Sequence, residues 1–112
     1  MRPHRTHSEV CWAVASATGD VVWVTNFADG TVSSYAVAVD GSLRVLEAEA
    51  GTTVRGAKGV RDAARSGDGR YLYAIDADAQ RLIAWATGPD GALETIGETD
   101  GLPITVAALA AV

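Results

Sequence analysis

Residues 22–35 read VWVTNFADGTVSSY, and this stretch decides the fold. Runs of β-branched and aromatic residues lie on both sides of Asp29-Gly30, Val21–Phe27 before it and Thr31–Val37 after it. Both residues of an Asp-Gly pair tolerate positive φ angles, and the Asp side chain can accept hydrogen bonds from the local backbone. The stretch therefore predicts two strands joined by a tight turn.

The same pattern extends along the chain in both directions. Asp-Gly pairs recur at positions 40–41, 68–69, 90–91 and 100–101. Between the turns lie six further short runs of strand-forming residues, typical of β-strands in length: Cys11–Ala15, Leu43–Glu47, Asp62–Arg65, Tyr71–Asp76, Arg81–Thr87 and Leu93–Gly97. Nowhere does a capped stretch keep the 3.6-residue period of an amphipathic helix. The chain is therefore predicted to be all-β.

An internal repeat organises these strands. When the sequence is shifted by 50 positions, its two halves align without a gap. Trp23 aligns with Tyr73, Tyr35 aligns with Trp85, and the Asp-Gly pair at 40–41 aligns with the pair at 90–91. A period of about 40–50 residues carrying four short strands is typical of a β-propeller blade. The second strand of each repeat is apolar on both faces, as expected for a sheet packed between two others.

The repeat predicts two four-stranded antiparallel propeller blades plus one extra strand, which is a fragment of a β-propeller. We expect an unstructured head at 1–9, a blade at 10–50, an inter-blade linker at 51–59, a second blade at 60–100, and the start of a further blade or a ring-closing strand at 101–112.

Composition narrows the classes of function. The chain has 112 residues, 48% of them hydrophobic, and a net charge of −5, which indicates a globular protein and disfavours nucleic-acid binding. No apolar run is long enough to cross a membrane, and the head lacks the apolar core of a signal peptide. A cytoplasmic location is expected for the chain as written, although a lost N-terminal region could have carried a signal. Because Cys11 is the only cysteine and no calcium-loop pattern occurs, we expect no disulfide, metal or cofactor.

Several motifs coincide, in order, with those of a known family: Val22–Phe27 with Asp29–Tyr35, Cys11–Val14, Arg61–Ala64 with Asp68–Tyr73, and Gly101–Pro103. The chain resembles the YVTN-type repeats of lactonase-fold β-propellers, a family that includes 6-phosphogluconolactonase-like and 3-carboxymuconate-cyclase-like proteins. Members are usually seven-bladed rings, and this chain resembles their last two blades and closing strand. The resemblance implies a C-terminal fragment, from a truncated gene, a late start codon or one piece of a split propeller.

The resemblance also implies a place for the active site. Family enzymes gather His, Glu and Arg side chains at one mouth of the central channel, and this chain has Arg61-Asp62 where an Arg-His pair often stands. Arg61 could bind a carboxylate or phosphate, and Asp62 could orient it or accept a proton. The alternative is structural, an inter-blade ion pair or a cap at the start of a strand. His4 and His7 lie in the head, where a catalytic role is not expected.

The remaining polar and aromatic residues are predicted to be structural. The aspartates of the Asp-Gly pairs are explained by turn chemistry, and Asn26 and Asp76 are expected to stabilise turns at matching strand ends. The large aromatic residues are expected to pack between blades rather than to form a stacking platform: Trp12, Trp23, Tyr35, Tyr73 and Trp85.

Three functions remain open at this stage. The parent protein is expected to be a lactone hydrolase or a lactonising enzyme, with this chain alone inactive. Alternatively, the chain is a non-catalytic binding or scaffold module, or half of a split propeller; it could also be a non-functional remnant. The expected partners are the missing blades or further copies of the chain, and a small-molecule lactone only if a full ring forms. Two isolated blades leave apolar faces uncovered, so we expect an aggregated, oligomeric or loosely packed chain.

Overall fold

The computed structural model describes residues 10–53 and 59–101, without the side chains of Val10, Cys11 and Arg61. The predicted head, most of the linker and the extra C-terminal strand lie outside the described residues. Within these two described ranges lie eight strands and one short 3₁₀ turn: β1 Val10–Ala15, β2 Val21–Asn26, β3 Thr31–Val37, β4 Leu43–Thr52, β5 Val60–Arg65, β6 Tyr71–Asp76, β7 Arg81–Thr87, the 3₁₀ turn Pro89–Gly91, and β8 Leu93–Thr99.

The strands form two four-stranded antiparallel sheets, which confirms the predicted all-β fold class. Sheet A has the order β1-β2-β3-β4 and sheet B the order β5-β6-β7-β8, so each is a simple meander. The first strands of the two sheets, β1 and β5, lie next to each other, and the outer strands β4 and β8 also touch. No helix in the described part of the chain is long and apolar enough to cross a membrane.

Strand bounds agree with the prediction for β3, β6 and β7 and differ most for β4. The sequence predicted Leu43–Glu47, whereas the strand continues to Thr52. The extension forms because Val32 pairs with Gly51 and Thr31 with Thr52, which lets β4 follow β3 back to its beginning. Irregular pairing on both sides of Ser34 accommodates the longer strand.

The Asp-Gly turns use the positive φ of glycine as expected, at Gly30, Gly41, Gly69, Gly91 and Gly101. Asp90 also has a positive φ of 57°, so both residues of the pair at 90–91 adopt left-handed conformations. Asp40 accepts a hydrogen bond from the Ser42 N–H at 3.0 Å, and Asp68 accepts one from the Arg70 N–H at 3.1 Å. The aspartates therefore fix the turns that contain them.

The hydrophobic core lies between the two sheets. Residues directly opposite one another in an antiparallel pair point to the same side, so the pairs Trp23–Ser34 and Leu72–Trp85 define the facing surfaces. Val21, Trp23 and Val32 of sheet A belong to one buried cluster with the apolar residues of sheet B, which are Val60, Ala63, Leu72, Ala74, Ile83 and Trp85. Each sheet thus buries one face against the other.

The five large aromatic residues do not all pack in this interface. Trp23 and Trp85 are almost completely buried there, as predicted. Trp12 is 48% exposed, so the predicted packing between blades is not seen for it among the described residues. Tyr35 and Tyr73 are half-buried on the outward faces of sheets A and B. Their cross-strand partners, Val22 and Ala84, point away from the core, and each tyrosine points to the same side as its partner.

Candidate functional site

The meander topology gives the two sheets two distinct ends. At the hairpin end lie the turns 16–20, 38–42, 66–70 and 88–92. At the crossover end lie the turns 27–30 and 77–80, the end of β4 and the start of β5. Because β5 begins at the crossover end, the predicted site residues Arg61 and Asp62 lie there.

A β-bulge shapes the backbone at these two residues. Val60 pairs with Asp76 and Ala63 with Ala74, so Arg61 and Asp62 together lie opposite one residue of β6. An extra residue of this kind bends a strand and redirects its side chains, and bulges are frequent beside active sites. Sheet A has a shift at the equivalent place, since Val10 pairs with Asn26 and Trp12 with Thr25. The bulge is therefore a feature of the repeat and does not by itself mark a site.

Asp62 is buried, whereas the side chain of Arg61 lies outside the described residues. The Asp62 side chain is only 4% exposed and has an interaction partner in the structure. Trp12, its equivalent in sheet A, is 48% exposed. The same strand position thus carries a buried carboxyl group in one sheet and an exposed indole in the other.

A second buried carboxylate, Asp76, lies at the same end of sheet B. It is 0% exposed, accepts a hydrogen bond from the Ala79 N–H at 3.0 Å, and accepts another from the Thr53 hydroxyl at 2.8 Å. The contact with Ala79 confirms that Asp76 stabilises the turn after β6. The contact with Thr53 was not predicted, and it ties the end of β4 in sheet A to the end of β6 in sheet B.

Gly59 makes room for this carboxylate. A Cβ added at Gly59 would lie 2.5 Å from Asp76 Oδ1, too close for any side chain. The Ala77 N–H donates to the Gly59 carbonyl at 2.8 Å, and the Thr53 N–H donates to the Gly30 carbonyl at 2.8 Å. Hydrogen bonds around Asp76 therefore hold the end of β4 and the start of β5 in place, which explains that buried carboxylate structurally.

Asn26 occupies the matching position in sheet A but acts differently. Its side-chain amide donates to the Thr31 hydroxyl at 3.1 Å and to the Ser33 hydroxyl at 2.9 Å. Asn26 therefore bridges β2 and β3, while its backbone carbonyl accepts the N–H groups of Asp29 and Gly30 in the turn.

An open groove of about 310 Å³ lies at the hairpin end, away from Asp62. Its lining includes Asp20, Asp68 and Asp90 and no Lys or Arg from the described residues. Such a groove repels an anionic substrate. The described residues also contain no group of three or more His, Cys, Asp or Glu that could hold a metal ion.

The carboxylates of this groove are held by their own turns. The hydroxyls of Thr18 and Ser16 donate to Asp20 and lower the pKa of that carboxyl below its ordinary value of 3.8. The Ser66 hydroxyl and the Arg70 N–H lower the pKa of Asp68 in the same way. Both carboxyls are stabilised as ionised turn caps, and neither is prepared to accept a proton near neutral pH.

Arg65 and Arg81 serve structural roles. Arg65 donates through Nε to the Ala15 carbonyl at 2.8 Å, which joins β5 to β1 at the hairpin end. Arg81 forms ion pairs with Glu98 at 2.9 Å and Asp100 at 2.7 Å on the outer part of sheet B. Ligand binding by Arg61 and Asp62 stays a prediction, because the side chain of Arg61 lies outside the described residues.

No protein-family model and no curated protein matches the sequence. Solved structures do match. A candidate 6-phosphogluconolactonase from Bacteroides fragilis is 25% identical with a TM-score of 0.74, and the match covers 83% of this chain and 26% of that one. The periplasmic gluconolactonase of Pseudomonas aeruginosa is 26% identical with a TM-score of 0.70, covering 88% and 28%. A candidate 6-phosphogluconolactonase from Bacteroides uniformis is 22% identical with a TM-score of 0.70, covering 81% and 26%. The chain thus spans little more than a quarter of the proteins it matches.

Proposed function

Because the chain has the fold of two neighbouring blades of a 6-phosphogluconolactonase-like propeller, we propose that it forms part of a ring that opens or closes lactones. Arg61 and Asp62 are its contribution to the site, and the chain without further blades is inactive. One observation carries the proposal: Asp62 is a buried carboxyl at the bulged start of the first strand of sheet B, at the crossover end. The lactone chemistry is suggested by the similarity to the 6-phosphogluconolactonases and the gluconolactonase described above.

Lactone hydrolysis requires three things of a site. A base removes a proton from water as its oxygen attacks the carbonyl carbon, the ring C–O bond then breaks, and the ring oxygen takes up a proton. Hydrogen-bond donors stabilise the negative charge that develops on the carbonyl oxygen. A cation holds the anionic group of the substrate, a role that suits the planar fork of Arg61. Asp62 either accepts the proton or orients Arg61.

We propose that the rest of such a site lies on blades other than the two described sheets. Its two histidines, His4 and His7, lie outside the described residues. The three carboxylates of the hairpin-end groove lie at the opposite end of the sheets from Asp62. We therefore propose that lactone turnover needs the complete ring.

The proposal is tested by co-expressing the chain with the remaining blades of a full-length propeller of this kind. We expect hydrolysis of 6-phosphogluconolactone, followed by acid release, only in the reconstituted ring. Asp62→Asn is expected to lower kcat/KM on the order of 100-fold if Asp62 is the base. Asp78→Asn removes an exposed carboxylate from the same end and serves as the control. Turnover by the 112-residue chain alone would overturn its proposed inactivity.

A second function is favoured by the burial of Asp62. A carboxyl that is 4% exposed and already engaged is also what an ion pair at the start of a strand requires. In that case the propeller is a non-catalytic binding or scaffold module. The reconstituted wild-type ring would then show no lactone turnover, and Asp62→Asn would lower only its thermal stability, which separates the two functions.

A further inference from the structure

Each sheet has an outward face on which apolar side chains remain partly exposed among the described residues. Outward face A belongs to sheet A and consists of Val22, Val24, Tyr35, Leu43 and Val45, which share one side through cross-strand pairing. Outward face B belongs to sheet B and consists of Tyr71, Tyr73, Leu82, Ala84 and Ala86. Leu43 is 60% exposed and Val45 39% exposed, although both are apolar.

The internal repeat shows what covers a face of each kind. The residues 50 positions after Val22, Val24, Tyr35 and Leu43 are Leu72, Ala74, Trp85 and Leu93, and all four pack in the core against sheet A. The residues 50 positions before Tyr71, Tyr73 and Leu82 are Val21, Trp23 and Val32, which belong to that core from the other side. Outward faces A and B are therefore the two halves of an interface that the chain already contains once.

Glycines at equivalent positions of the two sheets differ in how closely other described residues approach them. A Cβ at Gly91 would lie 2.9 Å from Val21 Cγ1, whereas nothing described lies within 4 Å of one at Gly41, which belongs to sheet A. A Cβ at Gly51 would lie 2.9 Å from Trp85, whereas one at Gly101 meets nothing described within 4 Å. In each pair, a described residue approaches only one of the two glycines closely.

We propose that outward face A of one copy of the chain docks onto outward face B of a second copy. The contact repeats the interface between sheets A and B. Sheet A of one copy packs against sheet B of the second copy, so that the four sheets form one continuous stack. Tyr73 takes the place of Trp23, whose Nε1–H donates to the Gly91 carbonyl at 2.9 Å, and lies against Gly41 of the second copy.

This contact joins two different faces, so it is heterologous and propagates head to tail. Every copy added leaves one face A and one face B free until the assembly closes into a ring. Assemblies of three or more copies are expected, in contrast to the closed dimer that two like faces would form. The inference does not depend on lactone chemistry, and its test measures mass rather than activity.

The test uses light scattering coupled to size-exclusion chromatography on the 112-residue chain. The wild type is expected at three or more times the 11.6 kDa mass of one chain, with the mass rising as concentration rises. Val24→Lys places a charge in face A, at the equivalent of fully buried Ala74, and Tyr73→Lys does so in face B. Each variant alone is expected at the mass of one chain.

Mixing the two variants gives the decisive measurement. Val24→Lys keeps an intact face B and Tyr73→Lys an intact face A, so an equimolar mixture is expected to form a one-to-one dimer with twice the mass of either variant.

Thr95→Lys is the control: it adds the same charge to an exposed position of β8 on the side turned toward sheet A, and its assembly is expected to match the wild type.

Three outcomes would overturn the proposal: a monomeric wild type at all concentrations, association of either variant with itself, or no dimer on mixing. Circular dichroism checks that every variant remains folded. If the first pair does not fold, Val22→Lys and Ala84→Lys test the same two faces at half-buried positions.

Discussion

At the scale of one residue, two threonine hydroxyls show how burial determines the contribution of a hydrogen bond to the free energy of unfolding. Thr53 donates to Asp76, which is fully buried, and Thr18 donates to Asp20, which is exposed. In both cases the partner is a carboxylate oxygen. Water can replace the hydroxyl at Asp20 but not at Asp76, so the same substitution has different consequences at the two sites.

Thr53→Val is therefore expected to destabilise the protein by about 1–3 kcal/mol, because it leaves a buried carboxylate oxygen without that donor. Thr18→Val is expected to change the free energy of unfolding by less than about 0.5 kcal/mol, since its site is exposed. Urea denaturation at one fixed protein concentration measures both. Equal losses for the two variants would mean that the contact between Thr53 and Asp76 adds nothing to stability.

Thr18→Val has a second expected effect, on titration. The Thr18 hydroxyl is the largest cause of the lowered pKa of Asp20, so its removal is expected to raise that pKa toward 3.8. A carboxyl whose pKa is lower in the folded state stabilises the fold above its unfolded pKa, and this contribution is lost as pH falls through the folded pKa. NMR titration of Asp20 in both proteins measures the shift, with Asp40, held by Ser42, as an internal reference. An unchanged Asp20 pKa would contradict the assignment.

At the scale of the element, two tryptophans contribute to the packing of the sheets in different ways. Trp23 is 3% exposed and donates through Nε1 to the Gly91 carbonyl of sheet B at 2.9 Å. Trp85 is 0% exposed, and its Nε1 has no hydrogen-bond partner among the described residues. Trp23 thus fixes one sheet against the other by shape and by a directional bond, whereas Trp85 does so by shape alone.

Trp23→Phe and Trp85→Phe remove the same volume and the same donor group. Both are expected to destabilise the chain through lost packing, but Trp23→Phe also leaves the Gly91 carbonyl unpaired. We expect the loss of unfolding free energy to be larger for Trp23→Phe by about 1–2 kcal/mol. Chemical denaturation of both variants measures the difference. A larger loss for Trp85→Phe would show that packing volume outweighs the hydrogen bond.

The elements also show what the sequence can and cannot predict. The strands, their order and the turn glycines follow from local patterns, so Tyr71–Asp76 and Arg81–Thr87 were predicted to the residue. The extension of β4 through Gly51 was not predicted, because glycine is a poor strand residue. The reason for a glycine there is visible only in the structure, where a Cβ at this position would lie 2.9 Å from Trp85 of the other sheet. The site has the same limit. The sequence placed Asp62 at the start of a strand, but its burial depends on contacts between distant segments.

At the scale of the whole molecule, the repeat explains why so apolar a chain exposes large side chains. Hydrophobic residues make up 48% of the sequence, and apolar side chains on the outward face of each described sheet remain partly exposed. Repeat units that bury their faces only on neighbours generally need about three or more repeats to be stable. The described chain contains two such sheets. Stability is therefore expected to come partly from docking and to depend on how many copies are present.

The dependence of the melting temperature on concentration tests this coupling. If the folded chain docks and the unfolded chain does not, Tm rises with protein concentration by mass action. We expect Tm to rise with concentration for the wild type and for Thr95→Lys when both are measured over a roughly 100-fold range of protein concentration. Val24→Lys, with outward face A blocked, is expected to melt at a lower Tm that does not change with concentration. A wild-type Tm that is also independent of concentration would mean that two sheets, with whatever the remaining residues contribute, are stable without a second copy.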